Sequence, residues 1–287
     1  MTEQADSAGR PAADGRPASA RTGSPVAIVT GATWVDPGGL NIGGAIATEL
    51  VRRGLRVVVA DVDAVGARAL EERINTEAGE TVVRAVETDI RSEEQVQRLV
   101  AETVGTFGRL DAVANNAGIF PGGDGPVGEL AIDVWDDVMA VNVRGAMLLT
   151  KHALPHLLVA GGAIVNTSST HSFAGDLRLT GYGAAKSALN ALTMYTATQY
   201  ARSGVRCNAV CPGSTMSPPA QRLPEPVRAV YERHTLNPSL AAPADIANVV
   251  AFLLSDEARS VNGMIIRADG GLLAHQPFVA DFMVAAE

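Results

Sequence analysis

The sequence predicts a doubly wound α/β domain built on a seven-stranded parallel sheet, and three observations carry that expectation. Seven short runs rich in β-branched residues recur along the chain. Segments with apolar positions at helical spacing, such as EEQVQRLVAETVGTF (93–107), separate them. The runs are continuously apolar rather than alternating, as strands buried on both faces are.

In order, the strands are VAIVT (26–30), LRVVVAD (55–61), TVVRAVETD (81–89), LDAVANN (110–116), GAIVNTSS (162–169), VRCNAV (205–210) and MIIRAD (264–269). The first gives way to a glycine-rich turn, GATWVDPGGLNIGGAIA (31–47), with a helix starting at Ile42. The rhythm runs unbroken from residue 25 to about 271, so residues 24–287 read as one domain. Residues 1–23 are rich in Ala, Gly, Pro and Ser and read as a disordered tail. Residues 212–242 carry six prolines that interrupt any helix, and a connection this long beyond a strand end reads as a lid.

Composition excludes several classes. A net charge of −8 gives no basic footprint for nucleic acid. No apolar run reaches the roughly 18–20 residues that span a bilayer, and no leader-like segment opens the chain. Cys207 and Cys211 fall four residues apart on a strand, roughly 13 Å, beyond the ~7 Å reach of a disulfide. They read as core residues in a reducing cytoplasm. With five histidines and no spaced Cys/His cluster, no metal site is expected.

Ligands of open parallel sheets bind beyond the carboxyl ends of the strands. Those ends carry Thr30-Gly31, Asp61, Asp89, Asn115-Asn116-Ala117-Gly118, Ser168-Ser169 and Pro212-Gly213. Tyr182 and Lys186, in GYGAAKSALNAL, lie one helical turn apart and share a face. A neighbouring ammonium lowers a phenol's pKa, which suits the pair to proton transfer.

With Ser169 thirteen residues before Tyr182, Asn142 in VNVRGAM, NNAG at 115–118 and DIANVVAFLLSDEARSVNGMIIRADGG near the end, the chain resembles the short-chain dehydrogenase/reductase family from about Val26 to Gly271. The fold is then of Rossmann type. The resemblance implies Tyr182 as general acid/base, Lys186 lowering its pKa and bonding the nicotinamide ribose, Ser169 polarising the substrate oxygen, and Asn142 holding a relay water. Ser168 is the rival for the serine role, but the spacing favours Ser169. His171 either touches substrate or is a loop residue.

The family's first turn reads T-G-x-x-x-G-x-G. Here nine residues instead of three follow Gly31, and Asn41 stands at the second glycine, before Ile42-Gly43. This reads as a phosphate cradle with a six-residue insertion. Asparagine tolerates a left-handed backbone, and the start of the helix presents free N–H groups to phosphate. Trp34 lies either over the cofactor or on the lid.

Asp61, with no Arg or Lys at 62 or 63, suits the ribose hydroxyls of NAD and repels a 2′-phosphate. The alternative is a capping aspartate. By resemblance, Asp89 and Ile90 flank adenine, Asn115, Ala117 and Gly118 line the dinucleotide, and Pro212, Gly213, Thr215 and Ser217 reach the carboxamide.

The expected function is NAD-dependent interconversion of a secondary alcohol and a ketone, with RCNAVCPGST (206–215) hinting at a cyclic hydroxylated substrate. The alternatives are a non-catalytic dinucleotide sensor and an enoyl reductase, whose tyrosine and lysine are six residues apart. The family resemblance also implies a homotetramer, joined through the helices of Asn142 and Tyr182 and the C-terminal segment.

Overall fold

The computed structural model describes residues 23–279 and 281–282. The expected tail therefore lies, apart from Gly23, outside the described residues. Seven strands form one sheet, all parallel: β1 (Val26–Thr30), β4 (Arg56–Asp61), β5 (Val83–Glu87), β6 (Ala112–Asn115), β7 (Ala163–Thr167), β8 (Arg206–Pro212) and β9 (Ile265–Ala268). Their spatial order is β5-β4-β1-β6-β7-β8-β9. All seven lie where the apolar runs predict them.

Successive strand residues feed opposite faces, so the sheet is covered on both. Ala27, Val29, Val57 and Val59 meet α1 (Ile42–Arg52), α2 (Ala64–Ala78) and α8 (Pro243–Leu254) through Ile46, Leu50, Leu70, Ile246 and Val250. On the other face, Ile28, Val58, Val113 and Ile164 meet α3 (Glu93–Phe107) and α5 (Ala146–Ala160) through Leu99, Leu149 and Leu157, together with Ala197 of α6 (Thr180–Tyr200). Cys207 and Cys211 are buried free thiols of β8. Among the described residues no helix is long and apolar enough to cross a membrane.

The strand order reverses between β1 and β6, opening a crevice at their carboxyl ends. Two elements there depart from expectation. The insertion after β1 folds into a small antiparallel hairpin, β2 (Trp34–Val35) and β3 (Gly39–Leu40), turning through Asp36, Pro37 and Gly38. The long segment after β8 contains a helix, α7 (Glu225–Arg233), despite its prolines. Pro224 precedes that helix and Pro226 sits in its first turn, where a missing N–H costs nothing.

Candidate active site

The site is assembled from strand ends around the β1/β6 crevice. Thr30 ties the two strands: its hydroxyl accepts the amides of Asn116 and Ala117, each at 3.1 Å. Asn116 returns the tie, donating to the carbonyls of Thr30 and Gly31. Gly31 adopts φ +67, and a Cβ there would lie 2.6 Å from the Ala117 Cα, so only glycine fits. A side chain at Gly43 would collide with the Gly31 carbonyl, which packs the start of α1 against β1.

Asn41 corrects the expectation for the turn. Its backbone is extended (φ −75, ψ 177), not left-handed. What it contributes is the side chain. Oδ1 accepts the amides of Gly44 (2.7 Å) and Thr33 (3.2 Å), and Nδ2 donates to the Gly31 carbonyl and the Thr33 hydroxyl, both at 3.0 Å. One side chain thus caps α1 and closes the base of the inserted hairpin, a task a glycine cannot perform. The first-turn amides of Ile42 and Gly43 have no intrahelical acceptor and remain suited to a phosphate.

Trp34 packs against the core beside α2. The Arg73 guanidinium of α2 stacks on its ring, 3.7 Å from the centroid. The hairpin tip meets the long segment after β8: a Cβ at Gly38 would lie 2.7 Å from Pro218 Cβ, and Gln221 approaches the Gly38 carbonyl at 3.5 Å.

Asp63, not Asp61, caps α2, accepting the Gly66 amide at 3.0 Å. Asp61 keeps its carboxylate at the strand end, bonded to the Asp63 amide at 2.9 Å, and burial pushes its pKa up. The other positions expected along the dinucleotide are engaged within the protein. Asp89 is paired with Arg91, which holds its carboxyl below the usual range against the effect of burial. Ile90 packs on Gly145. The Asn115 side chain turns into the core, donating to Asn166 (2.8 Å) and Thr150 (3.2 Å), so only its backbone faces the crevice end. Pro212 ends β8, Gly213 packs on Asp269, and the Thr215 backbone bridges to Ala241 at the far end of the long segment after β8, one residue before Met216 and two before Ser217.

The four residues expected to carry chemistry converge. Asn142 lies in a π-helical segment, Ala140–Gly145, between α4 (Ile132–Met139) and α5 rather than in a plain α-helix. Such wide turns often mark functional sites. Its Nδ2 donates to the carbonyls of Ile119 and Val138, and Oδ1 accepts the Ile119 amide, leaving one Oδ1 lone pair. Gly118 makes room beside it: a Cβ there would lie 2.5 Å from Asn142 Oδ1 and 3.2 Å from Lys186 Nζ. Ser168 donates to the Lys186 carbonyl, which occupies it structurally and leaves Ser169 as the serine beside Tyr182.

The electrostatics of the pair run against the simplest expectation. Burial raises the Tyr182 phenol above its ordinary value; the Ser169 hydroxyl opposes this, and Lys186 is not what pulls it down. The Lys186 Nζ sits over the phenol ring, 5.4 Å from its centroid, and donates to the Thr167 carbonyl at 2.8 Å. Burial, with 3% of the residue exposed, holds the Lys186 ammonium down at about 8. Phe120 packs edge-on against Tyr182 at 5.9 Å.

Sequence reasoning missed Asp124. This carboxylate, 1% exposed, accepts the amides of Gly181 and Tyr182, each at 2.8 Å, and so holds the first turn of α6. It lies 58 residues from Tyr182, so no local capping pattern signals it. His171 was noticed only as a loop residue or substrate contact; it lies 3.3 Å from Ser169 Oγ.

A family model described as "Enoyl-(Acyl carrier protein) reductase" matches residues 39–273. A probable short-chain type dehydrogenase/reductase of Bradyrhizobium diazoefficiens is 41% identical, covering 89% of this chain and 90% of its own. The chain belongs to the short-chain dehydrogenase/reductase family. The cis-4-hydroxycyclohexanecarboxylate dehydrogenase of Sinomonas cyclohexanicum is 39% identical over 87% of this chain and 96% of its own. The crystal structure of levodione reductase superposes with a TM-score of 0.79 at 31% identity, covering 89% of this chain and all of that one. The protein is an oxidoreductase of the secondary alcohol/ketone class, and its fold implies a nicotinamide dinucleotide.

Proposed function

We propose that the protein oxidises a ring-borne secondary alcohol to a ketone with NAD. The observation that carries this reading is the convergence of Ser169, Tyr182 and Lys186 beside Asn142 at the crevice. The bound nicotinamide would supply the hydride acceptor. Tyr182 takes the proton of the substrate hydroxyl, Ser169 holds that oxygen in place, and Lys186 would bond the ribose while Asn142 keeps a water near it. Gly31, Ile42 and Gly43 would receive the pyrophosphate, with Asn41 holding the turn. Asp89 and Ile90 would border adenine, and the backbones of Asn115, Ala117 and Gly118 would line the dinucleotide. Pro212, Gly213, Thr215 and Ser217 lie where the carboxamide is expected.

A phenol raised by burial needs positive charge beside it to ionise near neutral pH, and an oxidised nicotinamide ring has that charge. Asp61, freed from helix capping by Asp63, supports NAD over NADP, because a carboxylate accepts ribose hydroxyls and repels a 2′-phosphate. The similarity to cis-4-hydroxycyclohexanecarboxylate dehydrogenase supports a hydroxyl on a saturated ring.

Residues 24–287 would act as one catalytic domain with 212–242 as the substrate lid, assembled as a homotetramer. Free thiols at Cys207 and Cys211 suit the cytoplasm. A panel of cyclic and open-chain secondary alcohols assayed by NADH absorbance tests the reading. The expected result is turnover with kcat/KM higher for NAD than for NADP; turnover with NADP alone, or with none of the alcohols or the corresponding ketones, refutes it.

A further inference from the structure

Two loops meet beside the Tyr182 phenol, and hydrogen bonds fix their junction. One follows β6 and carries Phe120, whose ring packs on Tyr182, and Asp124, whose carboxylate accepts the amides of Gly181 and Tyr182. The other, residues 173–179, leads from the turn after Ser169 to α6. The Leu179 amide donates to the Asp124 carbonyl and the Thr180 hydroxyl to the Gly125 carbonyl, both at 2.8 Å. Leu179 is held at φ +61, a left-handed conformation that is rare outside glycine and clusters at ligand clamps. Arg178 directly precedes it.

The Arg178 side chain reaches across the junction. One of its terminal nitrogens donates to the Gly122 carbonyl, two residues beyond Phe120, over a long 3.4 Å. A guanidinium carries several further N–H donors, and among the described residues Arg178 enters no ion pair. The carboxylate nearest in sequence, Asp176, is engaged by His171 at 3.0 Å and by the amides of Leu177 and Arg178. The surface around the cation is apolar: Phe173 and Leu177 on its own loop and Phe120 on the other are each half or more exposed. Arg178, Phe173 and Leu179 line a cavity of about 380 Å³ that His171 also lines, and the His171 ring meets Tyr182 edge-on at 5.5 Å. A molecule whose hydroxyl lies between Ser169 and Tyr182 therefore extends past His171 toward aromatic rings and a positive charge that lacks a counter-ion.

We propose that Arg178 is a specificity-determining residue that takes the carboxylate of a ring-borne hydroxy acid. The inference rests on the oxidoreductase reading given above and names its substrate class. The planar guanidinium pairs with both oxygens of a carboxylate, while Phe120 and Phe173 cover the ring between that end and the alcohol carbon. The carboxylate keeps its charge while hydride leaves the distant carbon, so Arg178 binds ground state and transition state alike. Such binding sets KM and leaves kcat.

The test uses the full chain and compares 4-hydroxycyclohexanecarboxylate with its methyl ester, read by NADH absorbance, in the wild type, Arg178→Gln and Arg178→Lys. The wild type should favour the acid in kcat/KM by about ten- to hundredfold, the range of a hydrogen bond between charged groups. In Arg178→Gln that preference should vanish through a raised KM for the acid at little changed kcat, and Arg178→Lys should keep part of it. The wild-type KM for the acid should also rise with added salt while that for the ester stays level, a readout that needs no variant. A wild type without preference for the acid, a KM for the acid indifferent to salt, a preference that survives in Arg178→Gln, or a loss confined to kcat overturns the assignment of Arg178 and leaves the oxidoreductase reading standing. Absence of turnover by the wild type on every alcohol and ketone overturns that reading itself.

Discussion

Replacing Asn41 separates two explanations of the unusual first turn. If the turn merely tolerates asparagine where the family has glycine, Asn41→Gly restores the family pattern and leaves the protein unchanged or improved. The geometry requires the opposite. Four hydrogen bonds leave this one side chain, to Gly31, Thr33 (twice) and Gly44. At about 0.5–1.5 kcal/mol net for each, less what water restores at a partly buried site, their loss costs about 2–4 kcal/mol. Alanine should cost a few tenths more than glycine because it is the poorer helix cap. At about 2–4 °C per kcal/mol for a chain of this size, Tm falls by roughly 5–15 °C. The same change frees the Gly31 carbonyl and the hairpin base, so cofactor Kd should rise at least about tenfold, or about 1.4 kcal/mol. Calorimetry gives the first quantity and fluorescence titration with NAD the second. An Asn41→Gly variant with wild-type Tm and equal or tighter NAD binding refutes the argument.

Three further predictions follow from neighbouring features. Lys186→Met should stabilise the protein at pH 7 while abolishing turnover, because burial holds the folded pKa at about 8, well below that of a lysine in the unfolded chain; a folded state that binds fewer protons than the unfolded one gains stability as pH rises through that window. Denaturant unfolding at pH 7 and pH 9.5 should therefore show the stability difference between variant and wild type, about 3 kcal/mol at most, shrinking at the higher pH, and a pH-independent difference contradicts this. Asp124→Asn removes the charge from two amide bonds at the start of α6, each worth about 1.5–3 kcal/mol while charged; kcat should fall more than cofactor affinity, and the reverse ordering counts against a role in placing Tyr182. Deleting the six residues Trp34–Gly39 removes the contacts to Arg73 and Pro218 but leaves the sheet intact; cofactor affinity should drop by about tenfold while the cooperative unfolding transition persists, and unchanged affinity would show that the hairpin is a passenger.

What could be read from the sequence divides along physical lines. Strands buried on both faces leave continuous apolar runs, so all seven were visible, as was the edge that collects Thr30, Asp61, Ser169 and Pro212. Tyr182 and Lys186 were visible because a helix places positions four apart on one face. The hairpin at 34–40 was read only as an insertion, although Asp36-Pro37-Gly38-Gly39 is a turn signal between short apolar segments. Asn41 was assigned to backbone tolerance because its side-chain partners depend on how the insertion folds back. The helix α7 is hidden in the sequence by its prolines, whose positions matter more than their number: Pro226 occupies a first turn, where helices accept it. The direction of the Tyr182 shift depends on burial, which local spacing does not encode. Asp124 reaches α6 from a distant loop and leaves no local trace.

The central claim is that the Tyr182 phenol moves the substrate proton. The direct measurement is single-turnover NADH formation by Tyr182→Phe, with NAD binding measured on the same preparation. The account predicts wild-type NAD affinity and a rate lowered at least about a hundredfold; NADH formation at the wild-type rate by a protein lacking that hydroxyl would contradict it.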